Sequence, residues 1–177
     1  MDNCKKKIIN LRLLTLRNGV KRGEYLRKSN IFKNFGKNVW WQPYKIPIQP
    51  RLVKIGNNVK IATEVLFIEH DVVSEMLNIK YNKREFKEYL GTIEIGDNSF
   101  IGARSIIMYN TKIGKNCIIG SGSIVTKDIP DNSIAVGNPA KVIGNVSRIE
   151  EKMRIYSEGL KGIDLHNDDI IDQIFWK

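Results

Sequence analysis

The sequence predicts an all-β fold class, a parallel β-helix, on three observations. From Ile95 the chain falls into sixes beginning Ile95, Ile101, Ile107, Ile113, Ile119 and Val125, so that every first position is Ile or Val. Gly follows in four of these six repeats, and the fifth position is Ser, Thr or Cys in five. A strict period of six matches neither the 3.6 of a helix nor the two of an ordinary strand, and it marks a coil that stacks on itself. Each hexapeptide supplies one short strand and one corner. The aliphatic first residues stack inward between coils, the small fifth residue fits an interior corner, and Gly or Asn relieves the backbone where it turns.

The same register appears earlier at Ile55, Ile61 and Phe67 and then breaks. Phe67 and Ile95 are 28 residues apart, which is not a multiple of six, so residues 72–92 are expected as an extruded loop. Its aromatic residues, Tyr81, Phe86 and Tyr89, favour a loop packed on something, such as a neighbouring subunit. Before Ile55, the Trp- and Pro-rich stretch from Phe35 to Pro50 reads as an irregular first coil. Residues 4–28 carry a helical pattern through Ile8, Ile9, Leu11, Leu14 and Leu16, broken near Gly19. After Pro130, residues 137–144 are too rich in turn formers to be a helix, while 146–159 and 167–176 are expected as helices that cap or flank the coil. The expectation is one domain over 1–177: an N-terminal helical segment (1–30), the β-helix (31–130) and a C-terminal turn with helices (131–177).

At 177 residues, 42% apolar and 27% charged, the composition excludes a disordered chain, and no apolar run reaches the length of a spanning helix. Neither a secretory signal nor a disulfide scaffold is supported, because Ile8 to Leu16 is broken by Asn10 and Arg12 and only Cys4 and Cys117 occur. The expected compartment is the cytoplasm. The net charge of +10 is uneven: residues 1–54 hold fourteen Lys and Arg against Asp2 and Glu24, and the rest holds fifteen against seventeen acids. A basic, partly amphipathic N-terminal helix would attract phosphates or an anionic membrane surface, while a solvated face beside a packed one explains the same pattern.

The repeats, the run Phe67-Ile68-Glu69-His70-Asp71 before the extruded loop, and the ending from Gly120 to Pro130 followed by Gly137-Asn138-Pro139-Ala140-Lys141 together resemble the hexapeptide-repeat acetyltransferases. The branch resembled is that of galactoside, maltose, xenobiotic and capsular-sugar O-acetyltransferases, over about residues 20–145. The resemblance implies a left-handed coil, a homotrimer and acetyl-CoA lying in a groove between neighbouring coils. By motif match, Ala103 and Ser121 fall where the family contacts the pantetheine arm and thioester. Thr126, Lys127 and Lys141 fall near the adenosine phosphates, where cations suit the ligand's charge. Tyr109-Asn110 stands where the family commonly has Pro-Gly, Arg104 is larger than expected, and Glu69 replaces a more usual Thr.

Only His70 and His166 occur, and His70 alone lies within the repeat register. A neutral imidazole there would take the proton from an acceptor hydroxyl as it attacks the thioester, with no acyl-enzyme, while a backbone N–H such as that of Ala103 would hold the oxyanion. Alternation along a strand points Glu69 and Asp71 away from His70, so neither is assigned as its partner. Trp41, Gln42 and Tyr44, in the first coil, are candidates for holding a sugar, although plugging the coil end accounts for a Trp equally well. The expected function is therefore acetyl transfer to a hydroxyl of a sugar, polysaccharide or antibiotic-like acceptor. Transfer to an amine of a sugar nucleotide is an alternative. A zinc enzyme on the same coil lacks the usual three His ligands, and no recognition motif supports a nucleic-acid binder.

Overall fold

The computed structural model describes residues 3–176, which separate into two compact units, 3–146 and 147–176. The first begins with α1 (Asn3–Thr15) and α2 (Gly19–Ser29). The break between them is set by Asn18, whose side chain accepts the Lys21 N–H at 2.9 Å and caps α2. Asn30, in the left-handed region with φ 49°, ends it.

Three sheets of very short strands then form the walls of the coil. One wall stacks β1 (Asn34–Phe35), β3 (Val53–Ile55), β6 (Ile93–Ile95) and β9 (Thr111–Ile113). A second stacks β2 (Trp40–Trp41), β4 (Lys60–Ile61), β7 (Phe100–Ile101), β10 (Ile118–Ile119) and β12 (Ser133–Val136), with β13 (Lys141–Asn145) at its edge. The third stacks β5 (Leu66–Ile68), β8 (Ile106–Met108) and β11 (Ile124–Val125). All pairings are parallel except that of β12 with β13. Ile95 pairs with Ile113, Ile101 with Ile119 and Ile107 with Val125, a shift of 18 residues that makes three hexapeptides one coil.

The first positions of the repeats are the core. Ile55, Ile61, Ile101, Ile107, Ile113, Ile119 and Val125 are fully buried, and the fifth positions Ser99, Ser105, Thr111, Cys117 and Ser123 line the interior corners. Their polar atoms are satisfied by the backbone: Ser99 Oγ donates to Gly114 O at 3.0 Å and Ser105 Oγ to Gly120 O at 3.1 Å. Burial pushes the Cys117 thiol up from its ordinary pKa. One corner is a ladder of asparagines, Asn38, Asn58, Asn98, Asn116 and Asn132, all at positive φ, each amide donating to the next at 2.9–3.2 Å. Asn tolerates that backbone, and its side chain ties successive coils, so the residue serves twice.

Two expectations are corrected. Ile55 pairs with Ile95 across 40 positions, 22 more than an uninterrupted coil, and the extruded segment is not irregular but carries α3 (Val73–Lys80). The coil does not stop at Pro130, because β12 continues the second wall in register with β10. The turn-rich stretch is not helical, as expected: residues 137–140 form a turn and Lys141–Asn145 fold back as the antiparallel strand β13. The second unit holds α4 (Ser147–Gly159) and α5 (Asp168–Phe175), the latter capped by Asn167, whose side chain accepts the Asp169 N–H at 3.0 Å.

Candidate active site

His70 follows the last residue of β5 by two positions and is pinned by the returning end of the extruded segment. It forms an isolated antiparallel bridge with Leu90, and the Gly91 N–H donates to Glu69 O at 2.9 Å. The side chain of His70 is 17% exposed and stands between two carboxylates: Glu88 Oε1 is 3.6 Å from Nε2 and Glu69 Oε2 is 4.0 Å from Nδ1. Both contacts exceed ordinary hydrogen-bond length, and Nδ1 is buried without a partner among the described residues. Asp71 turns elsewhere, accepting the Tyr109 hydroxyl at 3.0 Å, and this bond with its carboxylate pushes the phenol's pKa up. Tyr109 also packs on Tyr89, whose hydroxyl accepts from Asn110 at 3.0 Å, so the extruded segment is fastened to its own coil beside His70. Asn110 takes a φ of 55°, standing in for the glycine expected of the family.

Glu69 turns into the coil, only 1% exposed, and its Oε1 accepts the Gln49 N–H at 3.2 Å. Desolvation pushes its carboxyl above the ordinary range, the largest of the influences on it. A raised native pKa favours the protonated form, so the folded state loses stability as pH rises from the unfolded carboxyl value through the native one. Glu69→Gln, which keeps an acceptor for Gln49, is expected to be more stable than the parent at neutral pH, with the gain vanishing in acid. Denaturant titrations of both proteins at several pH values check this, and a gain that grows in acid would contradict it.

Ala103 and Ser121 come together at a different corner, between the second and third walls. They line an open depression of about 550 Å³ with Thr63, Glu64, Arg104 and Gly122. The Ala103 carbonyl accepts the Gly122 N–H at 2.8 Å, which ties this corner to the next coil. Arg104 and Glu64, both at positive φ, pair across the coils at 2.7 Å. This pair was not legible as a unit, because 40 residues separate its members until the extruded segment is looped out. Ala103 precedes β8 while His70 follows β5, so within one chain they stand at opposite ends of the third wall, more than ~10 Å apart.

Thr126 and Lys127 follow β11 and are exposed. The Ala140 N–H donates to Ile124 O at 2.8 Å and Ile124 N–H to Gly137 O at 2.9 Å, which brings Lys141 to the same end of the coil. Neither lysine forms an ion pair with the described residues.

The three acceptor candidates part company. Trp41 is fully buried, stacked on Phe67 at 5.6 Å and edge-on to Phe32 at 5.7 Å, so it plugs the coil and is removed from the acceptor-binding set. Gln42 lines a depression of about 390 Å³ with Trp40, Thr63 and Ala103, although its amide oxygen is held by Arg22 Nη1 at 3.0 Å. Tyr44 is exposed, with the Arg22 guanidinium 4.2 Å from its ring centroid. Arg22, 2% exposed, also donates to Leu13 O at 3.1 Å and fastens both helices to the first coil. In sequence it was one cation of a basic run, and nothing distinguished it. Among the described residues, no group of three or more His, Cys, Asp and Glu is placed to hold a metal ion.

Walls of parallel strands in an 18-residue coil define the class, a β-helix of hexapeptide repeats. Residues 92–127 match the bacterial transferase hexapeptide (six repeats) and residues 110–147 match the hexapeptide repeat of succinyl-transferase, so the repeat body is similar to that of the hexapeptide-repeat transferases. Galactoside O-acetyltransferase of Escherichia coli K12 is 35% identical over 120 residues, 67% of this chain and 52% of that protein. A galactoside acetyltransferase structure in complex with coenzyme A superposes with a TM-score of 0.60 at 26% identity, over 84% of this chain and 82% of that one. A maltose O-acetyltransferase from Clostridium difficile 630 gives 0.58 at 26%, over 81% and 89%. The chain spans about half the length of the curated relatives it matches.

Proposed function

We propose that this protein is an acetyl-CoA-dependent O-acetyltransferase that acts on a hydroxyl of a sugar or polysaccharide, with His70 as general base. The observation that carries the reading is the placement of His70: the one histidine of the repeat body, held in a wall between coil and extruded segment, with a carboxylate near each ring nitrogen. Similarity to galactoside and maltose O-acetyltransferases supports the acyl donor and the acceptor class. A proton on Nδ1 faces the Glu69 carboxylate and leaves the Nε2 lone pair for the acceptor hydroxyl. As the imidazolium forms, Glu88 stabilises it across a short gap. The tetrahedral oxyanion is met by the Ala103 N–H, and the hydroxyl's proton leaves with the CoA thiol.

Because His70 and Ala103 occupy opposite ends of one wall, a single site that uses both draws them from two chains. This supports a homotrimer of left-handed coils with three composite grooves. Free thiol release from acetyl-CoA, screened against galactosides, maltose, oligosaccharides and amino sugars, tests the activity. Release with amino sugars alone would replace the hydroxyl reading by an amine one, and no release with any acceptor would remove the reading.

Thr126, Lys127 and Lys141 are assigned to the adenosine end of the donor. The Lys127→Ala/Lys141→Ala protein is expected to bind CoA about tenfold or more weakly, with a smaller loss for dephospho-CoA, since each charge-assisted phosphate contact contributes on the order of 1–2 kcal/mol. Calorimetric titration with both ligands measures the difference. Equal losses would place the lysines away from the 3′-phosphate.

A further inference from the structure

We propose that α1 is a docking surface for an anionic lipid bilayer, lying flat in the headgroup region and holding the protein against a membrane face. The helix is fixed to the coil by its inner side: Ile9 and Leu13 are 3% and 0% exposed, and the Asn10 side chain accepts the Ile46 N–H at 3.0 Å. At about 100° per residue, Ile8, Leu11 and Leu14 fall on the side opposite Ile9 and Leu13. Those three are 59%, 64% and 59% exposed. A helix apolar on two sides is ordinarily buried on both, so this outer stripe is a face that meets something apolar.

Charge identifies the partner. By the same spacing, Lys7 falls between Leu14 and Leu11 within the stripe, and Lys5 and Arg12 lie along its Ile8 edge, so that long cationic side chains accompany the aliphatic residues. The helix contains no acidic residue. Through residue 54 the one acid among the described residues is Glu24, and it is already engaged by Arg27 at 2.8 Å and Lys28 at 3.6 Å. A second copy meeting the stripe through a two-fold axis would bring identical cations together with no carboxylate to pair them. A bilayer with anionic headgroups answers both features, receiving the aliphatic stripe below the phosphates and the lysines among them. With 13 residues α1 is about 20 Å long, enough to lie in the interface, and no helix of the described residues is long and apolar enough to cross.

The test is co-sedimentation of the full chain with vesicles of phosphatidylglycerol and phosphatidylcholine in equal parts, and of phosphatidylcholine alone. The expected result is partitioning at least about tenfold stronger onto the anionic vesicles, weakened by salt. Ile8→Asp/Leu11→Asp alters only exposed positions and should abolish binding while leaving thermal unfolding unchanged. Lys5→Glu/Lys7→Glu should lower it about tenfold or more. Equal or absent binding of the parent on the two vesicle types would overturn the proposal. So would full binding by the Ile8→Asp/Leu11→Asp protein, since the stripe would then not be docked. Loss of oligomeric mass by that protein in lipid-free solution would instead assign the stripe to a second copy, again overturning the membrane assignment.

Discussion

His70→Ala is expected to lower turnover by a factor on the order of 10² to 10⁴, the usual scale for a positioned acid–base group. CoA affinity and thermal stability should stay near those of the parent, because the ring sits in a wall and not in the stacked core. Steady-state kinetics with the acceptor identified by the thiol-release screen, together with CoA titration, separates the two effects. Full turnover by the variant would sink the assignment, and Glu88, the nearest exposed carboxylate, would become the first group to examine. Glu88→Gln offers a finer reading. It leaves the base in place but removes the charge that stabilises the imidazolium, so a fall in kcat with KM retained is expected.

Trp41→Ala is expected to cost about 3–5 kcal/mol of stability, the range for removing a large buried aromatic. The indole closes the aromatic end of the coil against Phe32, Phe35 and Phe67, and no smaller side chain fills that volume. Trp41→Phe should be much milder, because it conserves a ring and removes an indole N–H that has no partner among the described residues. Denaturant unfolding measures both. The variants also separate plugging from recognition: if Trp41 held the sugar, Trp41→Phe would raise the acceptor KM while leaving stability alone, the reverse of what its burial implies.

The extruded segment links these predictions. It interrupts the coil immediately after His70, carries Glu88 back to the imidazole, and rejoins at Gly91 through a hydrogen bond to Glu69. The insertion therefore shapes the environment of the proposed base without disturbing the stack, since Ile55 still pairs with Ile95 and Phe67 with Ile107. Asn78, on α3, holds the backbone of Phe86 through two hydrogen bonds of 2.8 and 3.0 Å, two residues before Glu88.

Within the repeats, sequence alone determined the core and the wall positions. A period of six places each Ile at the same point of every coil, so Ile101, Ile107 and Ile119 are buried by repetition rather than by any distant contact. Ala103 and Ser121, singled out by resemblance to the family, lie at equivalent corners one coil apart. What lay outside the period was decided only by tertiary structure. Trp40 and Trp41 are adjacent in the chain, and no local rule says which of them faces inward. The stacking of β2 on β4 settles it, turning Trp41 to the core. Arg22 looked like one more exposed cation until two helices and the first coil closed around its guanidinium. Glu69 and His70 share a strand end, yet their opposite environments, one sealed in the coil and the other at its wall, arise from alternation combined with the return of the extruded segment. The continuation through β12 and β13 was hidden because turn residues also build the edge of a coil, where pairing with β10, and not local propensity, makes the strand.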